Sequence, residues 1–509
     1  MEKGDLDHKT RESLVWNMAL PALFQIVRFA VSIMIARLLT PRDFGIMGLA
    51  SLVVFYANSL SNFGFSTALI HRKEITEKHV NAIFTLNMGI SLLLCVLLCL
   101  CAKPLSFFFD VPELSGVFPV LSSIFLITAF YTIPLALLRR EVLFKAVSRI
   151  EFARGLLQVA VALAMAYGGF GFWALVGGLV LSNLFSTVLI IGQVSWRPRL
   201  CLDQKALGEL FGFSAWNFFA AQLRLFNDYL DKFIIGKCLG PVLLGLYEKG
   251  FAIAAMPVES ISNRIGGVMF ASFSRSQGDD DRLRRDLEKA VVLVSILSFP
   301  VCAGMFVVAP PFVSVLLGGQ WEPMTLAFRI LLVATAAQGV GAIFGMLNIT
   351  AGRHREQIKA RFWCVLLFVF ACQAVVHRGI EAVALCVAGY QFVFLGISYR
   401  IAAIRLNIPR GGVLRWLRPA LVGVAVMVVV LYLFTESFFP HKSLSSLVGL
   451  SILGAAVYTL CIFLSSYLYL RRIFLPRGPC SGEDPEKSGK TIRRAGGLRM
   501  KLWEGRWWR

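Results

Sequence analysis

Long, uninterrupted apolar runs constrain this chain more than any other feature. Counted at about 17 residues or more, the length a helix needs to cross a hydrocarbon core, they number about fourteen. Their approximate limits are 13–36, 43–70, 80–102, 115–138, 152–168, 171–194, 211–236, 243–270, 290–317, 325–351, 359–376, 380–400, 414–435 and 445–470. Of the 509 residues, 57% are hydrophobic and only 16% charged. Soluble domains run at roughly 45–50% apolar and about 25% charged. In lipid each backbone polar group must be satisfied within its own span, and the runs are too continuous for barrel strands, so the spans are helices. The expected fold class is all-α, a polytopic membrane protein. The first run, about 24 residues long, exceeds the h-region of a signal peptide and reads as a span.

The net charge of +21 does not indicate nucleic-acid binding, because the cations sit in short loops between apolar runs and in the C-terminal tail. Lys and Arg crowd alternate loops: Arg72, Lys73 and Lys78; Arg139, Arg140, Lys145 and Arg149; Arg197, Arg199 and Lys205; Arg282, Arg284 and Arg285; Arg353, Arg355, Lys359 and Arg361; Arg405, Arg410 and Arg415. The intervening loops hold few. The positive-inside bias makes the basic loops cytoplasmic, and an even number of spans then places both termini in the cytoplasm. No external loop exceeds about a dozen residues, which leaves no room for an extramembrane catalytic domain. Most of the eleven cysteines lie inside apolar runs, where Cys acts as a small hydrophobe, and no Cys/His spacing resembles a metal site. Gly489-Lys490-Thr491 lacks the earlier glycine and the preceding strand of a phosphate-binding loop. No cofactor is expected.

The chain also repeats. Slid along itself by about 200 positions, Trp16-Asn17 falls on Trp216-Asn217, Arg37 on Lys237, Pro41 on Pro241 and Gly45 on Gly245. Each copy is an apolar run ending in a cation, then Pro, then Gly. Six spans separate the copies, so they share an orientation, and the axis relating them runs along the membrane normal. Such repeats build transporters whose halves rock about a central site. The expected organisation is an N-lobe at 1–200, a C-lobe at 201–405, two extra helices at 406–470 and a basic tail at 471–509. That tail, with Trp503, Trp507 and Trp508 among its cations, reads either as disordered or as a surface for anionic lipid.

The copies differ in the middle of the seventh run, where Arg224, Asn227, Asp228, Asp231 and Lys232 stand. A charge at the bilayer centre costs roughly 2.5–3.5 kcal/mol on insertion scales. Arg224, Asp228 and Asp231 follow i, i+4, i+7 spacing and share a helical stripe, and Lys232 is placed to pair with Asp228. Two readings stand: internal neutralisation within a helix bundle, or a stripe lining a water-filled cavity. Arg28 corresponds to Asp228 in the repeat, which suggests a contact between them across the cleft. Glu248 and Lys249 are further buried candidates. Arg264 and Arg329 read as snorkelling cations. Asn58, Asn62, Gln338 and Asn348 are polar positions within spans, the residue types that hold membrane helices together or line a cavity.

Several blocks resemble the bacterial polysaccharide transporter family of the multidrug/oligosaccharidyl-lipid/polysaccharide exporter superfamily. They are Ala36 to Gly45 (ARLLTPRDFG), Asn62 to Ile70 followed by Arg72-Lys73, Gly169 to Val176 (GFGFWALV), the junction containing Asp231, Gly236, Gly240, Gly245 and Tyr247, and Phe273-Ser274-Arg275. The likeness covers roughly residues 12–400. It implies two six-helix lobes around a central cavity, alternating access, and a bacterial inner-membrane flippase. The implied substrate is an undecaprenyl-pyrophosphate-linked oligosaccharide for a surface polysaccharide such as O-antigen, capsule or exopolysaccharide, handed on to polymerase machinery. On that reading Arg28, Arg224, Lys232 and Lys249 supply cations for the pyrophosphate. Asp228, Asp231 and Glu248 bind a coupling H+ or Na+ or hold the cations, and Asn58, Asn62 and Asn227 line the cavity. No enzymatic activity is expected. Alternatives are an ion-coupled small-molecule exporter of the same fold, or an integral-membrane glycosyltransferase or polymerase.

Overall fold

The computed structural model describes residues 25, 27–62, 76–141, 143–200, 222, 225–409, 411–438 and 444–474. The described residues form helices joined by turns and short irregular segments, with no strand. In chain order the long helices are α1 (27–38), α2 (Pro41–Asn62), α3 (Glu77–Phe109), α4 (Leu114–Arg140), α5 (Phe144–Tyr167), α6 (Trp173–Gly192), α7 (225–238) and α8 (Gly240–Arg275). They continue as α9 (Asp280–Val307), α10 (Thr325–Thr350), α11 (His354–Val375), α12 (Ile380–Arg405), α13 (Gly412–Phe438) and α14 (Leu444–Phe474). Twelve helices among the described residues are long and apolar enough to cross a membrane. The expected spans at 13–36 and 211–236 lie partly outside the described residues, and their described parts are α1 and α7.

Local sequence sets the helix starts. Thr40 and Asp43 form a reciprocal cap at the head of α2: the Thr40 amide and hydroxyl donate to Asp43 Oδ2 at 2.8 and 2.7 Å, and the Asp43 amide donates to Thr40 Oγ1 at 3.3 Å. Pro41 occupies the first helical position, where its missing N–H costs nothing. The second copy starts α8 differently. Gly240 turns the chain at φ +82° and Pro241 follows, with no side-chain cap. Asp43 Oδ1 also accepts from the Phe172 amide at 3.0 Å, tying α2 to the turn before α6. Arg42 reaches Glu113, between α3 and α4, at 2.6 Å.

Packing sorts the helices into two groups. In the first, α3, α4 and α6 pack in series, α5 lies on α6, and α2 on α4; Ile35 and Leu39 join α1 to α5 and α6 through Ala162, Ala166 and Ala174. In the second, α10 lies among α8, α9 and α12, with α11 against α12. The α13–α14 pair rests on α9, where the Tyr458 hydroxyl donates to the Ile296 carbonyl at 2.8 Å. The groups meet chiefly along α2 and α8. One hydrophobic core runs through both, including Leu49, Phe118, Leu244, Tyr247, Trp321 and Phe328. Large apolar side chains such as Leu93, Leu100, Trp363 and Phe370 point outward, as a lipid-facing surface requires.

The α2–α8 crossing realises the sequence repeat. A β-carbon built at Gly45 would collide with the Pro241 carbonyl, and one built at Gly245 with the Pro41 carbonyl. Equivalent residues therefore meet reciprocally, as around a two-fold axis. Only glycine allows the two backbones this close.

Candidate functional site

Helix α7, tied to α8 through Asp231–Tyr247 and Lys232–Glu248, opens the second group as α1 opens the first, and across the seam the first helix of each group abuts the second helix of the other. Helix α1 meets α8, where Gln25 donates to Ser260 Oγ at 3.4 Å and Lys249 Nζ donates to Ser32 O and Oγ at 2.9 and 2.8 Å. Helix α7 meets α2, where Gln222 and Ser59 exchange hydrogen bonds at 2.7–2.9 Å and the Phe55 and Tyr229 rings lie 6.4 Å apart. This arrangement corrects one expectation. Arg28 and Asp228 hold equivalent places, but α1 faces α8 rather than α7, and no contact joins them among the described residues. Arg28 is exposed, on the stripe of α1 that carries Gln25 and Ser32.

The charged residues of α7 and α8 gather beside this seam. Asp231 is 6% exposed and accepts from the Tyr247 hydroxyl through Oδ2 at 2.6 Å. Among the described residues its Oδ1 is buried without a hydrogen-bond partner. Lys232 pairs with Glu248 at 3.5 Å, not with Asp228 as its spacing suggests. Its ammonium also lies 5.1 Å from the Tyr229 ring centroid and 5.4 Å from that of Phe251. The Glu248 carboxylate rests against Gly48, where a β-carbon would overlap it. Gly48 is the repeat counterpart of Glu248, so the second copy's carboxylate fills space that the first copy leaves by having no side chain. Lys249, 6% exposed, stands 4.8 Å from the Phe44 ring centroid and is bound to α1 through Ser32.

The single stripe expected of α7 is thus divided. Asp231 and Lys232 turn into the bundle, whereas Asp228 is exposed and accepts from Asn227 at 3.3 Å. Asn227 in turn approaches the Tyr390 hydroxyl on α12. Arg224 and the side chain of Asn62 lie outside the described residues. Asn58 is half-buried on α2. Asn348 is interhelical glue: it donates to Gln357 Oε1 at 3.0 Å and to the Ser398 carbonyl at 2.9 Å, joining α10, α11 and α12. Arg329 caps α9 by donating to the Phe306 carbonyl at 3.0 Å.

Arg361 escaped sequence reasoning, which placed it with the loop cations. It lies within α11, its guanidinium 4.8 Å from the Phe394 ring centroid, and forms no hydrogen bond or ion pair among the described residues. The usable signal was helical spacing: Gln357, Cys364 and Phe368, all buried, share the inward face of α11 with it. Among the described residues no group of three or more His, Cys, Asp or Glu is arranged to hold a metal ion.

Two anions and two cations inside a bundle can neutralise one another, and removing one partner of a buried pair costs about 3–5 kcal/mol. Every contact of this cluster with the first group is made across a boundary between the groups. A change in their relative position therefore changes the cluster's electrostatics.

Residues 34–326, more than half of the chain, match the family described as Polysaccharide biosynthesis protein. The chain belongs to this family. Similar curated proteins include the lipopolysaccharide biosynthesis protein WzxC of Escherichia coli, 24% identical over 370 residues, covering 72% of this chain and 74% of that protein. The succinoglycan biosynthesis transport protein ExoT of Rhizobium meliloti is 23% identical over 457 residues, covering 88% and 91%. Among solved structures, the lipid II flippase MurJ in an inward closed conformation superposes with a TM-score of 0.73 at 12% identity, covering 89% of this chain and all of that one. At that identity the likeness shows the fold alone, a multi-pass bundle of membrane-length helices.

Proposed function

We propose that this protein flips a lipid-linked oligosaccharide across the bacterial inner membrane for surface-polysaccharide synthesis, with both termini in the cytoplasm. The observation that carries the reading is the charged cluster at the seam between two repeat-related helix groups, in a chain of this family. A pyrophosphate-linked sugar needs cations at membrane depth, and relatives covering most of the chain are named for polysaccharide biosynthesis and transport. Arg28 and Arg361 offer guanidinium donors with no carboxylate partner among the described residues, and Arg224 completes the cationic set. Lys232 and Lys249 are engaged in this conformation by Glu248 and Ser32. They become available to an anion when the seam parts. Asp231 is the group suited to a coupling proton or cation, because its Oδ1 is buried and unfilled, while Asp228, Asn227 and Asn58 line the path. The carrier, of undecaprenyl-pyrophosphate type, then passes to the polymerase.

The test is the fate of lipid-linked oligosaccharide in cells depleted of this protein. Complete repeat units held on the cytoplasmic leaflet support flipping. Unfinished sugar chains would indicate a glycosyltransferase, and complete units already on the periplasmic leaflet a polymerase. An unchanged lipid fraction would favour export of a small molecule.

A further inference from the structure

The cation in the repeated cation–Pro–Gly sequence plays no part in the charged cluster. Arg37 and Lys237 stand at the ends of α1 and α7, beside the Gly45–Gly245 crossing, and both are exposed. In both copies the cation crosses to the other helix group. Arg37 donates through Nε to the Leu316 carbonyl at 2.8 Å and through Nη2 to the Val315 carbonyl. Both acceptors lie at the end of the short helical turn Val313–Leu317 that follows α9. Lys237 donates to the Phe108 carbonyl at the end of α3, with its ammonium 4.5 Å from the Phe108 ring centroid.

The acceptors explain the choice of residue. The last carbonyls of a helix have no intrahelical donor and carry the negative end of its dipole, so a cation is their natural cap. At Phe108 the donor four residues on would be Pro112, which has no N–H. Each first helix thus caps a terminus belonging to the opposite group. The contact is returned to α1, whose Ala36 carbonyl accepts from Gln320 Nε2 at 3.0 Å and from Trp321 Nε1 at 2.9 Å, and whose Leu39 carbonyl accepts from Gln320 at 3.1 Å. Buried Trp321 then packs edge-on against Phe44 at the head of α2, 5.3 Å between centroids.

We propose that Arg37 and Lys237 are repeat-related gate residues that latch this end of the seam shut and release together when it opens. Their exposure suits the task. An exposed cation on a backbone carbonyl shifts a closed–open ratio only by a small factor, as exposed charge contacts do, so the latch biases the closed form without freezing it. The two sides are unequal: the Arg37 fork holds two carbonyls at once, whereas Lys237 is a point charge on one. The latch concerns the seam and is independent of which substrate is carried.

The test uses the full-length protein in lipid nanodiscs, with spin labels on genetically encoded ketone side chains at Gly116 and Gly319, one in each group near this end. Added β-carbons meet no clash at either position. Pulsed dipolar spectroscopy then reads the distance between the groups. Arg37→Ala/Lys237→Ala is expected to raise the ratio of long to short distances about five-fold, the combined effect of two such contacts. Arg37→Ala alone gives the larger single effect, and Arg37→Lys/Lys237→Arg stays nearer wild type. Arg42→Ala is the control, since Arg42 pairs with Glu113 inside one group. A double-alanine distribution that matches wild type, or an equal opening by Arg42→Ala, overturns the proposal. Where a double-alanine chain fails to fold, Arg37→Gln and Lys237→Gln, which keep donors but lose charge, carry the same comparison.

Discussion

Replacing Gly45 with alanine probes the closed seam at its tightest point. The new β-carbon would lie 2.9 Å from the Pro241 Cα and nearer still to the Pro241 carbonyl, where ordinary contact begins at about 3.4 Å. The obstacle is backbone, so no rotamer relieves it, and α2 must move away from α8. Overpacking of this kind costs about 1–3 kcal/mol, and the absence of a yielding side chain puts Gly45→Ala near the upper limit. The strain exists only while the helices touch. A penalty of about 3 kcal/mol on the closed form alone shifts a two-state ratio by roughly 100-fold toward the parted form. Two other glycines calibrate the effect. At Gly89 a β-carbon meets nothing within 4 Å, and helix propensity favours alanine there by roughly 0.8–1 kcal/mol. At Gly48 it meets the movable Glu248 carboxylate, with Cδ at 3.3 Å. Melting of the purified protein in detergent should therefore rank Gly89→Ala highest, Gly48→Ala next and Gly45→Ala lowest, and Gly245→Ala should match Gly45→Ala. Equal melting for Gly45→Ala and Gly89→Ala would refute the close crossing.

Glu248→Gln leaves Lys232 without its anion and should lower stability by about 3 kcal/mol; a combined Lys232→Met/Glu248→Gln should recover most of it, which thermal melting of the pair can check. Asp231→Asn keeps the shape around Tyr247 but removes the charge, so export should lose its dependence on the ion gradient while insertion stays normal; vesicle transport with and without a gradient decides, and unchanged coupling would remove Asp231 from that role. Trp321→Phe deletes the donor to Ala36 and should cost about 1 kcal/mol, again read by melting. At Glu113 burial disfavours the charge, but its backbone hydrogen bond and Arg42 outweigh this and hold the carboxyl below the usual range. A lowered folded value means that the Arg42 contact contributes above the unfolded value, about 4.3, and is lost as pH falls through the folded one. The melting difference between wild type and Glu113→Gln, small for so exposed a pair, should shrink as the pH is lowered from 6 to 3.

The apolar runs and the repeat were legible because both are one-dimensional signals: length sets a span, and a constant offset sets an axis. Even the Gly45–Gly245 crossing was present as a sequence match, though not its reciprocity. Partner choice was not legible. Helical spacing puts Lys232 four residues from Asp228, but Glu248 comes from the neighbouring helix and enters the space above Gly48. Likewise the Arg28–Asp228 idea took equivalent positions for facing ones, whereas the axis sets α1 against α8. Arg361 was hidden by its neighbours, since Arg353, Arg355 and Lys359 make the whole stretch resemble a loop. What the linear pattern omits is which helix lies across the gap.

The length of α8 gives the crossing mechanical reach. The helix runs from Gly240 to Arg275 with Pro257 in its interior, so at 1.5 Å per residue its far end lies at most about 45 Å from Gly245. Even a modest tilt of 15° moves the tip of a helix of that length by up to about 12 Å, far more than the displacement needed near Gly245. A small yielding where two glycines touch is thereby amplified into a large displacement at the opposite end of α8.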